Sequence, residues 1–185
     1  MSRFYTADTH FCHANIIRFC NRPFKTFDGM NETIIQNWNS RVSKNDHVYH
    51  LGDFSLSRGR LDIVKEIIKR LNGKIHLIRG SHDKDALKLA HLFESVSETS
   101  TVHMGKQEIF LAHHCHKCWP KSHYGAWHLF GHNHGRLDTY AAGEGKLLDV
   151  GVDTHDFMPW SENEIIEVMK TRPLNYNDLS RNNNQ

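Results

Sequence analysis

Five short clusters of Asp, His and Ser stand out along the chain: Asp8-Thr9-His10, Gly52-Asp53, Gly80-Ser81-His82-Asp83, Leu111-Ala112-His113 and Gly131-His132-Asn133-His134. Carboxylate and imidazole are the donors that Mn²⁺, Fe and Zn²⁺ accept. An Asp two residues before a His on an extended segment puts both side chains on one face, so Asp8 and His10 suit one cation. His132 and His134 repeat that spacing with two imidazoles. Any one cluster alone reads more simply as a polar loop with hydrogen-bonded histidines. Five together point to a metal centre. The 16 histidines are spread through the chain instead of forming a terminal tag, which points the same way.

Such a centre needs elements to position it. Phe4-Tyr5-Thr6-Ala7 predicts a short buried strand ending at Asp8, and residues 9–13 follow no regular pattern, so a polar loop is expected there. Asp28-Gly29 precedes a helical pattern with Met30, Ile34, Ile35, Trp38 and Val42 on one side. Residues 47–51 predict a second strand running into Gly52-Asp53. Leu61, Val64, Ile67, Ile68 and Leu71 have helical spacing, with Gly73 where a terminator is expected. Residues 74–79 form a third strand opening into Gly80. Further strands are expected over 96–103, 108–112, 126–130 and 146–150. Ser161 and Glu164 have capping-box spacing and start a last helix with Ile165, Ile166, Val168 and Met169.

Strands alternating with helices, then strand-rich sequence, predict a layered α/β fold with a partly antiparallel second sheet. Ligands of open α/β sheets gather beyond the carboxyl ends of strands, and Asp8, Asp53, Ser81 and His113 lie just past such ends. No linker divides the chain, so residues 1–172 are expected to form a single domain, followed by a polar tail over 173–185 that frays from Asn175 onward.

Composition narrows the function. Lys plus Arg number 23 against 21 for Asp plus Glu, so net charge gives no general attraction to nucleic acid or an anionic membrane. No apolar run approaches the roughly 20 residues that span a bilayer. Met1-Ser2-Arg3-Phe4 leads into a strand rather than a cleavable signal, so a cytoplasmic location is expected. Cys12, Cys20, Cys115 and Cys118 are too few and too unevenly spaced for a disulfide framework and are expected as free thiols.

From residue 4 to about 169 the sequence resembles the calcineurin-like metallophosphoesterase family, whose motifs run Asp-x-His, Gly-Asp, Gly-Asn-His-Asp/Glu, His and Gly-His-x-His. It is similar to a small bacterial and phage branch through Asp8-Thr9-His10-Phe11, Asn15-Ile16-Ile17, Arg22-Pro23-Phe24 and Val48-Tyr49-His50-Leu51-Gly52-Asp53-Phe54. The resemblance implies a four-layer αββα sandwich with mixed sheets and a two-metal centre. Asp8, His10 and His134 would hold one metal, Asp53 would bridge, and His113 and His132 would hold the second. His82 would be the catalytic histidine, with Asp83 orienting it. Two divalent cations are implied, Mn²⁺ foremost, with Fe, Zn²⁺ or Ni²⁺ as other ions that such donors accept. Cations about 3.5–4 Å apart share a bridging water, lower its pKa toward about 7 and stabilise the attacking and leaving oxygens of an in-line displacement.

Ser81 departs from the family pattern, which has Asn there as a ligand of the second metal; a serine hydroxyl is shorter and a poorer donor. His113 follows the apolar strand directly and is preferred to His114. A zinc knuckle through Cys115 and Cys118 lacks its other half. His13 reads equally as a contact to substrate phosphate or as a loop histidine. Arg22, Trp119, Trp127 and Trp160 read as packing residues, and His155 and Asp156 stay outside the site. The expected reaction is hydrolysis of a phosphodiester in a small nucleotide or cyclic nucleotide, with no membrane and no protein partner implied. Residues 52–59 do not reproduce the Gly-Asp-x-Val-Asp-Arg-Gly of protein phosphatases. A phosphomonoesterase or exonuclease on the same centre, and a weakened, non-catalytic scaffold suggested by Ser81, stand as alternatives. An exonuclease should carry a basic track, of which the dispersed Lys and Arg give no sign.

Overall fold

A computed structural model describes residues 1–179. Two mixed sheets face one another. The first has the order β4-β3-β2-β1-β9, built from β1 (Arg3–Thr6), β2 (His47–His50), β3 (Lys74–Ile78), β4 (Ser95–Ser97) and β9 (Trp160–Ser161). Its first four strands run parallel and β9 pairs antiparallel with β1. The second has the order β5-β6-β7-β8, from β5 (Thr99–Met104), β6 (Gln107–Ala112), β7 (Trp127–Phe130) and β8 (Leu147–Asp149). Here β5 is antiparallel to β6, and β6, β7 and β8 are parallel.

The apolar alternation of the strands fills the space between the sheets. Tyr5, Ala7, Leu51 and Ile78 from the first sheet meet Ile109, Leu111, Leu129 and Leu148 from the second in one buried cluster. Outside the first sheet lie α1 (Ala14–Phe19), α2 (Phe27–Arg41), α3 (Leu61–Arg70) and the short α4 (Lys84–Leu87), whose buried Met30, Ile34, Trp38, Val64, Ile67 and Ala86 pack over Val48, Ile75 and Leu77. The outer face of the second sheet is covered more thinly, by α5 (Asp138–Glu144) through Ala141 and by Trp119 and Ala126 of the β6–β7 connection. The layers are therefore α, β, β, α, as the resemblance implied. The last helix, α6 (Glu162–Thr171), starts at the expected capping box and puts Ile165 and Met169 into the intersheet cluster.

Two local expectations are corrected, and one short helix is added to the expected elements. Residues 96–103 do not form one strand: the chain bends at Glu98, so β4 ends the first sheet and β5 begins the second, because a strand this short cannot pair with both sheets. Residues 9–13 are irregular as expected, and α1 follows them at Ala14, its apolar set too short to give a helical signature. The tail is not frayed at Asn175, which is buried. Its amide donates to the Ser122 and Ala126 carbonyls and accepts the Lys146 N–H, using both donor and acceptor. Residues 180–185 of that tail lie outside the described residues. Among the described residues, no helix is long and apolar enough to cross a membrane.

Candidate metal centre

Every cluster singled out in the sequence lies beyond a strand end, and backbone hydrogen bonds draw the loops together. The Asp8 N–H donates to the Gly52 carbonyl, His10 N–H to Asp53, Gly131 N–H to His113, and Val152 N–H to Ala7. Close approach sets the glycines: a Cβ on Gly80 would fall 2.2 Å from the Asp53 nitrogen, and one on Gly131 would fall 2.5 Å from Ala7 Cβ. Asp8, His10, Asp53, His132 and His134 all have positive φ, between 49° and 71°. Non-glycine residues rarely hold that conformation, and such strain collects at functional sites.

The side chains converge in two groups. Ligand atoms of Asp8, His10 and His134 lie within 4.8 Å of one another, as do those of Asp8, Asp53 and His113. Asp53 stands between the groups, with Oδ2 3.6 Å from His10 Nε2 and Oδ1 3.5 Å from His113 Nε2. Asp8 Oδ2 accepts the His132 N–H at 2.8 Å. The His113 Nδ1–H donates to the Leu51 carbonyl at 2.7 Å, which leaves Nε2 facing Asp53. Ser81 is exposed and lines a cavity of about 270 Å³ with His113 and His114. His114, set aside in the sequence, is brought into a third close group with His113 and His132.

These donors fit divalent cations. Asp8 Oδ1, both ring nitrogens of His10 and His113 Nε2 are buried without a hydrogen-bond partner. Such an orphan costs about 1–3 kcal/mol, and bound cations would satisfy those that face the two groups. The electrostatics agree. Burial pushes the Asp8 carboxyl well above its ordinary range. Burial also works to raise Asp53, but His113, His10 and the His82 N–H outweigh it and hold the carboxylate well below its usual range. For His113 burial is overturned by Asp53 and Asp8, so its imidazole is pushed up to about 9.

Around this centre His82 is exposed, with its ring 5.6 Å from that of His10 and 6.1 Å from that of His13. A pocket of about 260 Å³ beside these groups is lined by His10, His13, Asp53, His82, His132 and His134 together with Ile16, Phe19 and Leu56. Asp83 has a different job from the expected one. Its oxygens accept the N–H groups of Asp53, Phe54 and Gly80, so it clamps two loops together and has no hydrogen bond to the His82 ring.

Sequence reading missed Asp153. Its Oδ2 lies 2.6 Å from His134 Nδ1, and it takes two hydrogen bonds from the buried Arg22. Arg22 also donates to the carbonyls of Asp8 and Thr9, which makes it a brace for the first motif loop, in line with a packing role. The signal available was position alone: Asp153 follows β8, and the ligand candidates after other strands sit in the same place. Among the described residues Cys115 and Cys118 belong to no close ligand group, and all four cysteines are free. Trp119 and Trp160 are buried.

Comparison with known proteins agrees with this geometry. Residues 1–150 match the calcineurin-like phosphoesterase superfamily domain. The chain is 34% identical over 167 residues to the uncharacterized protein MJ1445 of Methanocaldococcus jannaschii, covering 89% of each. It is 26% identical to the gene 66 protein of Mycobacterium phage D29, over 85% of this chain and 92% of the relative. The crystal structure of AQ665 from Aquifex aeolicus, a protein of unknown function, superposes with a TM-score of 0.70 at 25% identity, over 90% of this chain and 98% of that one. By that domain match and this fold, the chain belongs to the calcineurin-like phosphoesterase superfamily, as a metal-dependent phosphoesterase.

Proposed function

We propose that the protein hydrolyses a phosphodiester of a small nucleotide or cyclic nucleotide, using two divalent cations, Mn²⁺ foremost. The observation that carries this reading is Asp53, with one oxygen toward His10 and the other toward His113. Asp8, His10 and His134 would hold one cation; His113 and His132 would hold the second, with Ser81 and His114 beside it. Bound there, the cations would supply an activated water at neutral pH and the charge that offsets the phosphate oxygens.

The chain's own residues do the remainder. His82, exposed at the pocket beside His10, donates its proton to the leaving oxygen. Its backbone N–H is tied to Asp53 Oδ1 at 2.8 Å, which fixes where the ring starts. Asp83 positions that loop. His13, whose Nδ1 is buried without a partner, turns toward the substrate phosphate. Ile16, Phe19 and Leu56 give the pocket apolar surface, which suits an ester with an organic group on each side of the phosphorus. We place the reaction in the cytoplasm, where thiols such as these four stay reduced.

The test is hydrolysis of bis-p-nitrophenyl phosphate beside p-nitrophenyl phosphate, in metal-stripped protein resupplied with Mn²⁺, Ni²⁺ or Zn²⁺. Faster turnover of the diester supports the reading. Preference for the monoester would replace it with a phosphomonoesterase, and binding of metal without turnover of either would favour a scaffold weakened at Ser81.

A further inference from the structure

Basic residues that are dispersed in the sequence are gathered beside the catalytic pocket by the fold, against the expectation of no basic track. A cavity of about 360 Å³ adjoins that pocket, sharing His13 and Leu56 with it, and its wall carries Arg58 and Arg60. Arg58 also lines a neighbouring cavity of about 290 Å³ with Lys84 and Lys88, which meets the catalytic pocket at His82 and Leu56. A cavity of this size holds a nucleotide-sized group.

The two guanidinium groups are presented and left uncompensated. Arg58 has φ 55° and is followed by Gly59 at 90°, a turn pinned by Asp85, which accepts the Ser57 hydroxyl and the Gly59 N–H at 2.9 and 2.7 Å. Asp85 is further engaged by Lys88 at 3.1 Å. Among the described residues neither arginine has a carboxylate within ion-pair distance. Arg60 lies over the Phe27 ring, 5.8 Å from its centroid, and donates to its neighbour's carbonyl on Ser57. Arginine's planar fork matches phosphate oxygens, and unneutralised charge in a cleft concentrates anions there.

We propose that Arg58 and Arg60 form a subsite for a second phosphate of the substrate, beyond the one that is cleaved. This rests on the phosphodiesterase reading and narrows it: the substrate carries at least two phosphates, either as a mononucleotide with a further phosphate or as a short single-stranded oligonucleotide.

The test has a binding arm and a turnover arm. In calorimetry on the Mn²⁺-loaded protein, thymidine 3′,5′-bisphosphate is expected to bind at least about tenfold more tightly than either thymidine monophosphate. The doubly substituted Arg58→Ala, Arg60→Ala protein should lose that difference, and Arg58→Lys with Arg60→Lys should keep part of it. In turnover, p-nitrophenyl esters of thymidine phosphates should show a lower KM when the second phosphate is present, an advantage the double alanine variant loses. Equal affinity for mono- and bisphosphate, or a preference that survives the double substitution in folded protein, would overturn the subsite. If no diester is cleaved, the phosphodiesterase reading fails while the calorimetry still decides the subsite. Displacement of the bisphosphate by a thymidine trinucleotide at lower concentration would support the subsite with an oligonucleotide as the source, and weaker displacement would support it with a mononucleotide.

Discussion

The Nδ1 of His134 lies 2.6 Å from Asp153 Oδ2, and Arg22 holds the same carboxylate with hydrogen bonds of 2.7 and 2.8 Å. A carboxylate on one ring nitrogen fixes the tautomer and turns the other nitrogen toward the centre, and removing such a partner typically lowers metal affinity 10–100-fold. Asp153→Ala is therefore expected to weaken the first cation by about that factor, read by Mn²⁺ titration against a competing chelator. Unchanged affinity would mean that His134 needs no orienting partner.

Arg22 carries a different load. Its guanidinium is buried among Asp153 and the Asp8 and Thr9 carbonyls, so Arg22→Ala leaves Asp153 with His134 alone, takes the side-chain donor from both carbonyls, and is expected to destabilise the fold by about 1–3 kcal/mol. Urea unfolding measures this. A loss below about 1 kcal/mol would show that the pair behaves as a solvated surface contact.

At the second cation the substitutions run in opposite directions. Ser81→Asn supplies a longer amide donor and should tighten that ion and raise turnover, whereas His114→Ala should weaken it, since His114 lies with His113 and His132. Metal content after graded chelation is the readout for both. If His114→Ala leaves the content unchanged, its place in that group has no bearing on binding.

Much of this was legible because strand ends and donor spacing are local properties. Asp8, Asp53 and His113 each follow a short segment that reads as a strand, and the core face of α2 was readable from helical spacing. The rest depended on contacts distant in sequence. Asp153 reaches Arg22 across 131 positions, and no local pattern announces such a pair. The family resemblance implied that Asp83 orients His82, yet its oxygens are taken by backbone donors, two of them from another loop. Asn175 looked like tail because polarity says nothing about which carbonyls will need a donor. The turn at Glu98 exists because two sheets compete for one stretch of chain.

A pH dependence follows at the end of the fold, away from the metals. Burial works to raise Glu164, but Arg41 and the Ser161 N–H and hydroxyl outweigh it and hold the carboxyl at about 2. A folded pKa below the unfolded value, about 4.3 for Glu, gives stability that is present above that value and lost as pH falls toward about 2. Glu164→Gln should therefore be less stable than the unaltered protein at pH 6, with the gap closing as the pH approaches 2. A gap that stays constant over that range would mean that packing, not charge, makes the difference.

In the proposed function Asp53 would join the two metal sites into one hydrolytic centre. The most direct test is to load metal-stripped protein and its Asp53→Ala variant with Mn²⁺, and to measure bound metal per chain together with bis-p-nitrophenyl phosphate turnover. Two ions and metal-dependent turnover are expected in the unaltered protein, with bound metal reduced and turnover abolished in the variant. Turnover that persists in folded Asp53→Ala protein, or proceeds without added metal after stripping, would contradict the proposed function.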